Sequence, residues 1–251
     1  MTLQADRGGT GDRLLVLLHG LGATRHVWEK MLADAGRRWR GRWVAPDLRG
    51  HGASAQAMSY ALGLHASDVA ELVLTSGSFR EVVVVGHSMG GVIALALASG
   101  WFGIQPVYCF GLGIKVAWTA DELARLGEMA TAPPRAFATK DDAVARYLKS
   151  SGLTGLIPAD SAAAQAGVAT DDAGWRLAAD PATASVGAPP MRALIDAAKE
   201  SIHLARGASD PMVTLEQLRA FDPGAIDLPG GHNAMVERPD AIWDWIERKL
   251  G

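Results

Sequence analysis

The stretch "VVVVGHSMGGVIALALASG", residues 82–100, decides how this chain is read. Four consecutive valines make a buried strand, because β-branched side chains suit a pleated surface and no alternation marks a wet face. "GVIALALASG" then reads as a helix. Between them sit His87, Ser88 and Met89, boxed by Gly86, Gly90 and Gly91. A G-x-S-x-G passage from strand to helix forces a sharp turn, with the serine strained at its apex and its hydroxyl raised above the sheet. Small neighbours let the helix pack close to the strand. The first amides of the helix have no intrahelical partner, so the Met89 amide can donate to a developing oxyanion. A purely structural glycine turn is the competing reading, and the rest of the chain decides between them.

On either side lie further short apolar runs: "LLVLL" (14–18), "RWVA" (42–45), "VYCF" (107–110), "IHLA" (202–205) and "AIDL" (225–228). Being unbroken, they read as buried strands. Helical stretches fall at about 26–37, 64–77, 88–100, 214–221 and 234–250. Strands alternating with helices predict an α/β fold: a doubly wound, mostly parallel sheet with right-handed crossovers. At most one short strand precedes Leu14. From Leu112 to Pro190 the rhythm stops. That stretch is alanine-rich, has helical patches such as "TADELARLGEMA", and carries no strong strand. The expected organisation is a core of 1–111 and 191–251 with a helical insertion at 112–190.

Composition narrows the function. With 251 residues and a net charge of −3, acids and bases are mixed along the chain, so no concentrated basic face for nucleic acid is expected. No apolar run reaches the roughly 18 residues of a membrane span. Cys109 is the single cysteine, which excludes an intrachain disulfide and a multi-cysteine zinc site and fits a cytoplasmic setting. The opening "MTLQADRGGTGDR" lacks the apolar core of a signal peptide. The run "RRWRGRW" (37–43) reads as a solvated approach to a strand.

A serine nucleophile needs a base, and the base needs an orienting acid. Of the seven histidines, His232 in "DLPGGHNAMVERP" lies just past the last predicted strand. That is the sheet edge where Ser88 also falls and where open α/β sheets bind ligands. Asp210, in "HLARGASDPMV", again follows a strand, and the order Ser88, Asp210, His232 suits this architecture. His203 lies inside a strand, His87 and His19 belong to turns, and His26 and His65 at helix starts read as solvated. A second oxyanion donor is expected from "LLVLLHGLGATRHVW", where the Leu21 amide would face Met89 across the reacting carbonyl.

With "HGLG" (19–22), "PDLRGHGAS" (46–54), "GHSMGG" (86–91), "GASDP" (207–211) and "GGHN" (230–233) in order, the chain resembles the α/β-hydrolase fold family, in its cofactor-free serine esterase and lactonase branch. The resemblance covers almost the whole chain, with the insertion matched in position only. It implies Ser88 as nucleophile, His232 as base, Asp210 as orienting acid, and the Leu21 and Met89 amides as oxyanion donors. It further implies that 112–190 forms a cap over the site, that no metal or organic cofactor is needed, and that "DLRGHG" is a structural loop. The sequence departs from the family at its short N-terminus, where the usual first hairpin looks trimmed or missing.

The expected reaction is hydrolysis of a carboxylic ester or lactone of a small, largely apolar molecule. Trp28, Leu112, Ile114, Trp118 and Trp175 are the candidate pocket residues. Serine at the turn apex argues against dehalogenase and epoxide hydrolase chemistry, which use aspartate there. The insertion holds seven Lys/Arg against nine Asp/Glu, so no basic bias marks it for a carrier protein or coenzyme A. Two other readings use the same residues: a carbon–carbon bond hydrolase of ring-cleavage products, and a ligand-sensing receptor that keeps the triad.

Overall fold

The computed structural model describes residues 1–198 and 202–251. Strands β1 (Ala5–Gly9) and β2 (Arg13–Leu18) come first, followed by short helices α1 (Glu29–Ala33) and α2 (Ala35–Arg38) and by β3 (Arg42–Pro46). Helix α3 (Leu62–Thr75), β4 (Glu81–His87), α4 (Met89–Ala98) and β5 (Tyr108–Leu112) follow. A long excursion then holds α5 (Ala120–Thr131), α6 (Lys140–Ser150), α7 (Ala162–Gln165), β6 (Val168–Asp171), β7 (Gly174–Leu177) and a 3-10 turn at Pro181–Val186. The chain returns through α8 (Met191–Ala198), β8 (Ile202–Gly207), α9 (Leu215–Arg219), β9 (Ile226–Leu228), α10 (Ala234–Glu237) and α11 (Pro239–Leu250).

Seven strands form the main sheet in the order β1-β3-β2-β4-β5-β8-β9. All neighbours are parallel except β1 with β3. The unbroken apolar runs have a direct physical cause, because helices cover both faces. Val83 and Val85 enter one core with Leu15, Leu17 and Phe110. Val84 enters the other with Leu14, Val16 and Leu18. Each such side chain contributes about 1.5–3 kcal/mol when taken out of water. Helix α4 is buried along its whole length, which suits its lack of charge.

The strand order places the site. β3 lies on one side of β2 and β4 on the other, so the winding reverses between β2 and β4. Chains leaving the C-terminal ends of those two strands part to opposite faces and open a crevice. The turns carrying Leu21 and Ser88 both start there.

Three local expectations are corrected. The excursion from Leu112 to Pro190 is not purely helical: β6 and β7 form an antiparallel hairpin, and Phe137 adds a bridge to Trp175. Its strands have four residues each and none is fully buried, so no apolar run announced them. The stretch 234–250 is two helices, because Arg238 precedes Pro239 and is held out of the helical region at φ −139° and ψ 62°. The stretch 26–37 is likewise broken, into a 3-10 turn at Arg25–Trp28 and helices α1 and α2. At the N-terminus β1 pairs with β3, so the one short strand before Leu14 is an edge strand rather than half of a hairpin. Its charged and glycine residues suit an edge, where they discourage further pairing.

Candidate active site

Ser88 sits between β4 and α4 at φ 51° and ψ −118°. It is the only non-glycine residue with positive φ among the described residues. Such a conformation costs on the order of 1–3 kcal/mol and persists only where the surroundings enforce it. The Ser88 amide donates to the Leu112 carbonyl at 2.8 Å, tying the turn to the end of β5. A Cβ on Gly86 would run into the Gly90 carbonyl, and one on Gly90 into the Leu18 carbonyl. The glycines that box the serine are therefore required by the close passage of strand, turn and helix.

The opposite wall is the turn after β2. Gly22 adopts φ 74° and donates its amide to His51 Nε2 at 3.1 Å. His51 uses its Nδ1–H on the Arg49 carbonyl, 3.0 Å away. His19 accepts from the Leu48 amide at 2.9 Å and turns its other nitrogen to the Gly20 carbonyl at 2.8 Å. Both rings are wholly buried, and burial lowers their pKa values, so they stay neutral and keep these roles. Asp47 completes the support, accepting from the Arg25 and Ala53 amides at 2.8 Å each and pairing with the Arg25 guanidinium. The "DLRGHG" loop thus braces the Leu21 turn. Neither the Leu21 nor the Met89 amide hydrogen-bonds to any group among the described residues.

His232 Nδ1 lies 2.9 Å from Asp210 Oδ2. The Asp210 side chain is fully buried, and its Oδ1 accepts from the Met212 amide at 2.8 Å, which aims Oδ2 at the imidazole. His87 packs its ring 4.5 Å from that of His232 and donates Nε2–H to the His232 carbonyl at 2.9 Å. No hydrogen bond joins Ser88 Oγ to His232 among the described residues; a bound substrate can tighten such contacts. Ser88 and His232 do share the lining of one cavity of about 640 Å³. That size suits a small organic ligand.

Leu21, Met89 and Trp118 line this cavity with Leu62, Val92, Leu126 and Val186. Four expected pocket residues do not. Trp28, Leu112 and Ile114 are fully buried in the cores beside the sheet, and Trp175 packs in the β6–β7 hairpin under the Lys140 ammonium. Sequence proximity to the Leu21 turn or to the end of β5 put the first three near the site. Their side chains point into the protein. His65, expected in solvent, is buried with neither ring nitrogen partnered, and burial brings its pKa down to about 4.

Two residues escaped the sequence reading. Gly113 adopts φ 61°, and a Cβ there would lie 3.1 Å from Asp210 Oδ2 and 3.2 Å from His232 Nδ1. Its signal was the "GLG" that closes β5. Asn233 is buried and donates through Nδ2 to the Ser151 and Gly152 carbonyls, each at 3.1 Å. It ties the His232 loop to the end of α6, a role that its place at the end of "GGHN" did not announce. Among the described residues no group of three or more His, Cys, Asp or Glu is placed to hold a metal ion, and no helix is long and apolar enough to cross a membrane.

A mostly parallel sheet with a reversed winding, a strained serine at the switch point and an Asp–His pair beside it define the α/β-hydrolase class. The model of the alpha/beta hydrolase family matches residues 15–245, and the chain belongs to that family. Its relatives include the magnesium-chelatase 30 kDa subunit of Rhodobacter capsulatus, 40% identical over 95 residues, which are 37% of this chain and 32% of that one. Protein phosphatase methylesterase 1 of Bos taurus is 28% identical over 159 residues, or 62% of this chain and 42% of that one. The matches thus span less than half the length of these two relatives. Among solved structures, the thioesterase domain from the curacin biosynthetic pathway superposes with a TM-score of 0.78 at 20% identity, over 97% of this chain and 94% of that one. E-2-(acetamidomethylene)succinate hydrolase does so with a TM-score of 0.76 at 23% identity, over 99% and 94%. Both likenesses concern the fold.

Proposed function

We propose that the chain is a serine hydrolase that cleaves a carboxylic ester or lactone of a small, largely apolar molecule. The observation that carries this reading is the convergence of a strained Ser88, two free amides and the Asp210–His232 pair on one cavity. Ser88 Oγ attacks the carbonyl carbon while His232 Nε2 takes its proton. Asp210 holds Nδ1–H and so fixes the tautomer that leaves Nε2 free. The Leu21 and Met89 amides receive the oxyanion, each such donor being worth about 3–4 kcal/mol in the transition state. The alcohol leaves with the proton from His232. Water then attacks the acyl-serine by the same route, and the acid is released. These residues run the cycle without a metal or organic cofactor. In this reading 112–190 is the cap, and Trp118, Leu126 and Val186 of that stretch wall the cavity that Ser88 and His232 also line. A cytoplasmic setting fits the single, buried thiol of Cys109.

The test is turnover of p-nitrophenyl esters of graded chain length by the wild type and Ser88→Ala, with fluorophosphonate labelling. The expected result is steady turnover that falls at least about 10³-fold in the variant, with labelling only when Ser88 is present. Turnover that survives Ser88→Ala, or absent labelling of the wild type, overturns the reading. Labelling with a single slow event per protein would favour the receptor, and turnover of ring-cleavage products alone would favour carbon–carbon cleavage.

A further inference from the structure

The charges that face the cavity are not those of the 112–190 stretch as a whole. Three cations line it, Lys115, Arg125 and Lys149, against two carboxylates, Glu122 and Glu237. Lys115 and Glu122 neutralise one another at 2.5 Å, and Glu122 is also held by the capping box of Thr119 at the start of α5. Glu237 accepts from the Gly231 amide at 3.0 Å and so braces the turn before His232. The Arg125 guanidinium on α5 and the Lys149 ammonium at the end of α6 have no ion-pair or hydrogen-bond partner among the described residues. Much of the remaining wall is apolar, with Leu21, Leu62, Val92, Trp118, Leu126 and Met129, and the uncharged polar part is Ser150, Ser151, Asn233 and the Ser88–His232 region. Helix α5 buries no residue, and it turns Glu122, Arg125, Leu126 and Met129 to the cavity while resting on the 3-10 turn at Pro181–Val186.

From this we propose that the substrate has an apolar body and one carboxylate remote from the scissile carbonyl, and that Arg125 and Lys149 recognise that carboxylate. The inference rests on the hydrolase reading above for which end of the molecule faces Ser88. Two cations left over from pairing at the mouth of a mostly apolar cavity attract an anion, and a neutral chain end gains nothing from them. A net lining charge of one positive suits a monoanionic carboxylate better than a doubly charged phosphate. Arg125 offers a planar fork that matches a carboxylate, and Lys149 adds a point charge. Both side chains are exposed at the cavity rim, so the attraction is modest and screened by salt.

The test separates this from catalysis by using the Ser88→Ala protein. Its binding of linear primary amides is compared with that of the same amides carrying a terminal carboxylate, over chains of six to twelve carbons, by calorimetry. At low salt the carboxylate form is expected to bind about fivefold more tightly at its best length, the scale of one exposed ion pair. The preference should vanish in 1 M salt, where the screening length is about 3 Å. It should also shrink in Arg125→Ala and Lys149→Ala, and Arg125→Lys should restore part of it. Equal binding of the two series at every length, or a preference that both substitutions and salt leave intact, overturns the inference. Because no turnover is needed, a failed hydrolase assay and a failed carboxylate preference are read independently.

Discussion

Gly113 shows how tightly single atoms are placed around the Asp210–His232 pair. Its positive φ strains any other residue, and a methyl group there would press on both partners of the 2.9 Å hydrogen bond. On the proposed mechanism, Gly113→Ala is expected to lower kcat by about tenfold or more while leaving KM nearly constant, since a misplaced base costs transition-state rather than ground-state binding. Steady-state kinetics on any accepted ester checks it, and an unchanged kcat would show that the pair tolerates displacement. His87 acts on the same pair from behind. Its Nε2–H must donate to the His232 carbonyl, because the opposite tautomer would set a lone pair against that oxygen. This leaves Nδ1 as the buried nitrogen without a partner.

At the scale of elements, the site is a meeting of loop ends that different strands deliver to one sheet edge. Strand β4 supplies Ser88, the ends of β8 and β9 lead to Asp210 and His232, and β2 leads to Leu21. Asn233 fastens this assembly to α6 through two carbonyls. Ser151 is half-buried and Gly152 exposed, so their carbonyls can turn to water, and removing that amide costs only the net worth of the two hydrogen bonds, about 0.5–1.5 kcal/mol each. Asn233→Ala should therefore lower Tm by several degrees, at about 2–4 °C per kcal/mol for a domain of this length. It should also raise KM, because Ser151 and Gly152 line the cavity. Thermal melts and ester kinetics on one preparation test both. A loss of stability with KM unchanged would show that α6 keeps its place without the tether.

For the whole molecule, four buried imidazoles tie stability to pH. Burial pushes His19, His51, His65 and His87 below the ordinary value of 6.5, with His65 at about 4. Above pH 6.5 neither the folded nor the unfolded chain protonates them, and their contribution is complete. As pH falls from 6.5 toward 4 the unfolded chain takes up protons that the folded chain refuses, so stability drops. Each such group adds up to about 1.4 kcal/mol per pH unit to the slope. Urea unfolding at pH 7.5 and pH 5 should show the loss, and His65→Leu should make the dependence shallower. A stability that is flat over this range would mean that the rings become protonated in place.

The positions of Ser88, Asp210 and His232 relative to the strands were legible because each lies within a few residues of a strand end, and a strand-turn-helix pattern is written locally. The sheet was legible for the same reason: side chains buried on both faces leave unbroken apolar runs. The cavity was not. Trp28, Leu112 and Ile114 are near the site in sequence, yet their side chains enter the cores, and only packing between distant segments decides which way they point. Composition likewise showed no basic bias in the insertion, while tertiary folding paired Lys115 with Glu122 and left Arg125 and Lys149 facing the cavity. The sequence by itself determined the α/β sheet and where along the chain the serine, aspartate and histidine fall, since those depend on contacts within short segments. Only the tertiary structure decided the lining, the charge and the bracing of the site, because these depend on contacts between residues as far apart as Ser151 and Asn233.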